Sequence, residues 1–219
     1  MALHLMGYSR RNVLRWGRGL LTIGVAGAVL PNFGMDEALA ANLGEGDIAI
    51  LNYAYALEQL EAAFYMKATE NPFRGMMAAE TKTLGEIRDH EIAHREFFKK
   101  ALGHSAIIDI EVDFSKINFN DRSSVLGTAD AFENLGVAAY NGAGHLLKKV
   151  DYLEAAGAIA SVEARHTAMI AALLHGLSPI AAGAGHASTK GLDLATPPRD
   201  VLTEARPFIK TPLDAASLN

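Results

Sequence analysis

The sequence contains no cysteine. Disulfide staples, thiolate metal sites and cysteine nucleophiles are therefore excluded together. A chain without thiols also suits folding before export into an oxidising compartment. Basic charge is in short supply as well. Twenty lysines and arginines stand against 25 aspartates and glutamates, for a formal net charge of −5. Phosphate backbones need a basic surface, so nucleic acid is not an expected partner. Period-two alternation of β-branched residues is scarce, the nearest stretch being 106–114, so sheets are not expected to organise the fold. No apolar run reaches the ~20 residues of a membrane-spanning helix. What remains is an alanine-rich chain of 219 residues, 50% of them hydrophobic. That is enough for one full core with extensions, and it favours closely packed helices. The expected class is all-α.

The N-terminal segment reads as an address. Ser9-Arg10-Arg11-Asn12-Val13-Leu14-Arg15 precedes an apolar stretch over Gly19–Leu30, and Ala38-Leu39-Ala40 supplies a small-x-small sequence for cleavage. The order of charged, apolar and cleavage regions resembles a twin-arginine export signal, with Val13 and Arg15 in place of the usual phenylalanine and lysine. The resemblance implies cleavage after Ala40 and export in the folded state to the periplasm or the extracellular space. No stable membrane insertion is then expected after cleavage.

The mature chain predicts four helices. Asp47 is placed to cap the first, whose apolar positions include Ile50, Leu51, Ala54, Leu57, Leu60, Ala63 and Phe64, and Asn71-Pro72 ends it. A second is expected from about Met76 to Leu102, closed by Gly103. About twenty residues then separate it from a third, which starts near Ser123 or Ser124 and reaches the Asn141–Gly144 break. Asp151 is placed to cap a fourth, running to about Leu174. Two helices, a long crossover and two more helices describe an antiparallel four-helix bundle. The bundle is expected over 41–176, followed over 177–219 by a proline- and glycine-rich extension with a short helix near Arg199–Ala205.

The chemistry lies in a repeat. Glu91-Ile92-Ala93-His94 and Glu163-Ala164-Arg165-His166 are both Glu-x-x-His. Three-residue spacing puts carboxylate and imidazole on one helix face, able to converge on one ion. Each is preceded by a matching helix: Glu58-Gln59-Leu60 ends seven residues on in Tyr65, and Glu133-Asn134-Leu135 ends seven on in Tyr140. The chain reads as a diverged duplication of one helix pair. Folded with pseudo-two-fold symmetry, it brings four carboxylates and two imidazoles to the bundle centre.

Leu51-Asn52 with Glu58 and Tyr65 resembles the first ligand helix of bacterioferritins and rubrerythrin-type di-metal carboxylate proteins. The stretches Leu57–Tyr65 and Phe132–Tyr140 are similar to exported ferritin-like domain proteins, a group that includes plant desiccation-related proteins. The resemblance covers about residues 47–176. It implies Glu58, Glu91, His94, Glu133, Glu163 and His166 as ligands of two metal ions, iron or manganese. Glu91 and Glu163 would bridge, and Glu58 and Glu133 would be terminal. Glu61 departs from the repeat, since Gly136 is its counterpart; on roughly the face of Glu58, it is a candidate extra ligand. Tyr65 and Tyr140 are candidates for orienting ligands through hydrogen bonds.

A rival motif overlaps the first Glu-x-x-His. His90-Glu91-Ile92-Ala93-His94 is H-E-x-x-H, the zinc-protease helix motif. Its counterpart has Val162 where the extra histidine would stand, and the protease reading leaves the Glu58/Glu133 and Tyr65/Tyr140 repeat unexplained. The expected function is therefore a di-metal centre reacting with oxygen or peroxide in oxidative or desiccation stress. The alternative is a non-catalytic stress or structural protein in which the metal serves as a staple. Assembly into a homo-oligomer is open to such a bundle.

Overall fold

The computed structural model describes residues 40–176 and 191–218. All but the last residue of the signal expected over 1–40, and residues 177–190 of the expected C-terminal extension, lie outside the described residues. Four long helices dominate: α1 (Gly46–Glu70), α2 (Ala78–Leu102), α3 (Arg122–Ala143) and α4 (Val150–His175). Their ends follow the sequence punctuation. Asn71, before Pro72, leaves the helical region at φ −126°, ψ 77°. Gly103 closes α2 at φ +54°, a backbone conformation that L side chains rarely adopt. The links 71–77 and 144–149 are short and make the hairpins α1–α2 and α3–α4. At 1.5 Å per residue the helices are roughly 33–39 Å long. The crossover over 103–121 is long enough to run that length and deliver α3 to the start of its path. This is the all-α bundle that the sequence predicts.

The helix starts differ from expectation in an instructive way. Asp47 does not cap α1; its carboxylate accepts from the backbone N–H groups of Lys148 and Lys149 at 2.8 and 2.9 Å. It thus ties the start of α1 to the start of α4. Helix α3 starts at Arg122, next to the expected Ser123, and Asp121 caps it by accepting from the N–H groups of Ser123 and Ser124. Asp151 lies in the first turn of α4, whose N-cap is Lys149; a carboxylate there still complements the helix dipole. Helix α2 begins at Ala78, two residues later than Met76, because Glu80 reaches back to accept from the Met77 N–H at 2.8 Å.

Glu80 is fully buried, and its second oxygen accepts from Arg122 Nε at 2.6 Å. The same guanidinium donates to the Leu173 carbonyl at 2.6 Å. One arginine therefore joins the start of α2, the start of α3 and the end of α4. A buried carboxylate costs several kcal/mol unless paired, and here the pair closes one end of the bundle.

Helix α1 is the spine. Every residue from Ala49 to Ala62 is buried, as expected of a helix with partners on all sides. Its polar residues therefore need partners of their own. Asn52 donates to the carbonyls of Leu43 and Ser105 and accepts from the Ile107 N–H, at 2.8–2.9 Å. Seven residues on, Gln59 accepts from the Ile110 N–H at 2.8 Å. Together they fasten the crossover along α1. Asn52→Ala leaves buried backbone groups unpaired at about 1–3 kcal/mol each. The expected loss is about 2–4 kcal/mol in urea unfolding; a loss below about 1 kcal/mol contradicts this role.

The segments flanking the bundle meet outside it. Strand β1 (Ala41–Asn42) pairs in parallel with β2 (Leu213–Asp214). Between α4 and β2 a short helix, α5 (Pro198–Ala205), packs against α3 and buries Val201 and Ala205. The Thr196 N–H donates to the Ala138 carbonyl at 3.0 Å. A Cβ at Gly142 would lie 1.9 Å from the Thr196 carbonyl oxygen, so only glycine lets this segment lie so close to α3. Phe208 completes the contact edge-on to Phe132, ring centroids 4.9 Å apart.

Candidate metal centre

Each helix brings its acids to the middle of the bundle. Helix α1 contributes Glu58 and Glu61, α2 Glu91 and His94, α3 Glu133, and α4 Glu163 and His166. None of the seven is more than 9% exposed. The three-residue spacing turns each Glu-x-x-His pair onto the inner face of its helix. Donor atoms of Glu58, Glu91, His94 and Glu163 lie within 4.8 Å of one another, and so do those of Glu91, Glu133, Glu163 and His166. Glu91 and Glu163 belong to both groups. The pair expected to bridge is the pair that the two groups share.

The approaches are close. His94 Nδ1 lies 3.0 Å from Glu163 Oε1 and 3.3 Å from Glu58 Oε2. His166 Nδ1 lies 2.9 Å from Glu91 Oε1 and 3.2 Å from Glu133 Oε2. Yet both oxygens of Glu91, both of Glu163, Glu58 Oε2 and His94 Nδ1 are buried without a hydrogen bond. Proximity without hydrogen-bond geometry is what lone pairs directed at a shared centre produce. Orphaned buried acceptors of this kind each carry a desolvation cost that a cation removes.

The tyrosines cross between the repeats. Tyr65, on α1, donates to Glu133 Oε1 of α3 at 2.5 Å. Tyr140, on α3, donates to Glu58 Oε1 of α1. As numbering rises along α1 it falls along α3, so the two helices are antiparallel and the pairing is reciprocal. Each hydroxyl fixes one oxygen of a carboxylate and leaves the other to face the cluster. The same geometry relates α2 and α4, where His94 meets Glu163 and Glu91 meets His166.

The repeat breaks at Glu61, and the structure shows what fills the gap. A Cβ at Gly136 would lie 3.2 Å from Glu61 Oε1 and 3.4 Å from Glu163 Oε2. The carboxylate of Glu61 therefore occupies the space its counterpart leaves open, beside a shared ligand candidate.

His90 is exposed, and its Nδ1 lies 2.8 Å from His166 Nε2, with the rings stacked. It belongs to neither donor group. His90 faces His166 while His94 faces Glu58 and Glu163, so the two histidines of the H-E-x-x-H motif do not converge on one site. The contact occupies the outer nitrogen of His166 and leaves Nδ1 for the carboxylates.

Electrostatics favour a cation. Burial raises the carboxyl pKa of Glu58, which the nearby His94 partly offsets and Glu91 and Glu163 reinforce, to about 8. Burial, then the charges of Glu163 and Glu91, push Glu61 well above the ordinary range. Burial likewise raises Glu133, against the pull of His166. Glu91 is held low, at about 2: its burial is outweighed by the imidazoles of His166 and His94 close beside it. Burial lowers His94 and His166, but the carboxylates around them raise both, His166 to about 12. Without those protons, five buried carboxylates would carry more negative charge than the two imidazoles neutralise. Divalent cations supply the balance, and the donor set of carboxylates and imidazoles suits iron, manganese or zinc. The buried cluster can therefore bind metal.

A search of curated proteins finds no match to the chain. The model of the ferritin-like domain family matches residues 46–176, the span from the start of α1 to the end of α4 that holds every donor described above. The chain belongs to the ferritin-like domain family.

Proposed function

We propose that the protein is an exported di-metal carboxylate protein that reacts with oxygen or peroxide, in oxidative or desiccation stress. The observation that carries this reading is the pair of overlapping donor groups sharing Glu91 and Glu163. Glu58 with His94 would hold one iron or manganese ion, Glu133 with His166 the other, and Glu91 and Glu163 both. Glu61 is an additional carboxylate within reach. Two redox-active ions at such a site supply electrons to a small oxidant.

The chain's own part is placement and exclusion. Tyr65 and Tyr140 each hold one carboxylate oxygen, which limits the rotation of Glu133 and Glu58. Raised pKa values at Glu58, Glu61 and Glu133 make these carboxyls places where protons reside near neutral pH. Burial keeps bulk water from the cluster. The twin-arginine-like segment and the Ala38-Leu39-Ala40 sequence support delivery to the periplasm or the extracellular space. Among the described residues no helix is long and apolar enough to cross a membrane.

The test is turnover. Full chain loaded separately with iron and with manganese is expected to consume oxygen or peroxide catalytically, followed with an oxygen electrode and peroxide absorbance. Bound metal with no turnover in either form overturns the redox reading and leaves the metal as a structural staple.

A further inference from the structure

A small, partly open apolar pocket lies beside the cluster, walled by Tyr53, Ala54, Leu57, Phe98, Ala139 and Tyr140 with their neighbours. It has room for about one water-sized molecule. Its exposed wall is wholly apolar, so the two tyrosines turn ring carbons and not hydroxyls toward it. A buried water needs 2–4 polar partners and finds none here. Hydrogen peroxide, with two hydroxyls to satisfy, is excluded for the same reason. Its walls disfavour water and suit a small apolar molecule.

Its position gives that occupant a destination. The ring of Tyr140 forms part of the wall, while its hydroxyl donates to Glu58 Oε1 in the cluster. Leu57, also in the wall, precedes Glu58 on α1. A single ring thus separates the apolar space from a carboxylate of the metal-binding groups. Phe98, also in the wall, stacks on that ring at 6.4 Å between centroids, which holds the partition in place.

We propose that this chamber is a holding site from which dioxygen reaches the Glu58 side of the cluster. The proposal rests on reading the cluster as an oxygen-reactive metal centre. Dioxygen is apolar and compact, so it gains by leaving water for an apolar pocket, where peroxide would lose its hydrogen bonds. The chamber therefore selects between the two oxidants and favours dioxygen.

The test reads the chamber without any reaction. The full chain, with diamagnetic zinc in place of redox metal and methyl-labelled alanine and leucine, is studied by NMR under dioxygen and then nitrogen pressure. Paramagnetic relaxation at the methyls of Ala54, Leu57 and Ala139 is expected to be several-fold larger than at Leu84 and Leu126, which are fully buried elsewhere in the core. Equal enhancement at both sets overturns the proposal, and it needs no variant to do so. Ala54→Leu, which fills the space, is then expected to abolish the enhancement at Leu57. It should slow oxygen uptake by the iron- or manganese-loaded protein several-fold with metal content unchanged. An unchanged rate in that variant overturns the chamber as a route to the cluster. Dioxygen in the chamber but no oxygen uptake by wild type in either metal form removes dioxygen as an oxidant of the cluster and the route with it. Uptake without dioxygen in the chamber removes the chamber alone.

Discussion

Replacing Glu91 and Glu163 together by alanine is expected to abolish metal binding. Elemental mass spectrometry of wild type purified from its exporting host should give about two iron or manganese ions per chain, and the double variant few or none. The reason lies in the sharing of donors. Each of the two donor groups contains both residues, so neither retains more than one carboxylate and one imidazole from its own group. Loss of an outer hydrogen-bond partner costs about 10–100-fold in affinity, which is the expectation for Tyr65→Phe or Tyr140→Phe. Removal of both shared carboxylates must cost far more than that. The metal-free variant also loses two buried acids that lack hydrogen bonds, so it should fold at least as readily as the metal-free wild type once the new cavities are counted. Low metal content is then attributable to the site and not to unfolding, and circular dichroism checks the distinction. About one zinc per chain, lost on changing His90, would instead restore the protease arrangement that the geometry disfavours. No metal in wild type would remove the di-metal proposal and leave the ferritin-like bundle with a different role.

Much of this arrangement is legible in the amino-acid sequence. Helix spans follow from apolar periodicity and from Pro72, Gly103 and Gly176, because those signals act within a turn of the residues they govern. The convergence of Glu58, Glu91, His94, Glu133, Glu163 and His166 is legible for a different reason. A repeated Glu-x-x-His with its own upstream Glu and Tyr constrains four helices at once, whereas a lone motif constrains one.

The partners chosen across the fold are not legible. Asp47 looks like a cap for its own helix, but the N–H groups that donate to it lie at residues 148 and 149, a choice set by how α1 and α4 meet. Tyr65 and Tyr140 sit two turns from the carboxylates on their own helices, yet each bonds the carboxylate of the other repeat. Sequence spacing fixes a face and a height on one helix, while the antiparallel pairing of α1 with α3 fixes the partner. Asn52 and Gln59 gave a usable sign, two amides seven apart in an otherwise buried stretch. Glu80 gave none, because an acid in a first turn is ordinary on any helix.

The charge at the centre also sets how stability responds to pH, and removing the metal should reverse the trend. In metal-free protein the carboxyl of Glu58 has its pKa raised by burial to about 8, and Glu61 and Glu133 are raised in the same sense. A carboxyl whose pKa is higher folded than unfolded contributes stability that is fully present below the ordinary value near 4.5 and is lost as pH rises. The folded state binds the extra protons, so stability falls by about 1.4 kcal/mol per pH unit for each proton in excess. The raised imidazoles of His94 and His166 add to the same trend above about pH 6.5, their ordinary value. Glu91 is shifted the other way, to about 2, but its contribution changes only below the ordinary carboxyl range. Metal-free protein should therefore lose thermal stability steadily between about pH 5 and pH 8. The loaded protein should not follow it. Metal replaces those protons, so its affinity rises with pH, and stabilisation grows with the ratio of metal to dissociation constant. Melting temperatures measured with metal and with chelator should lie close together near pH 5 and diverge toward pH 8. A gap that stays constant across this range would mean that the buried carboxylates are not what the metal neutralises.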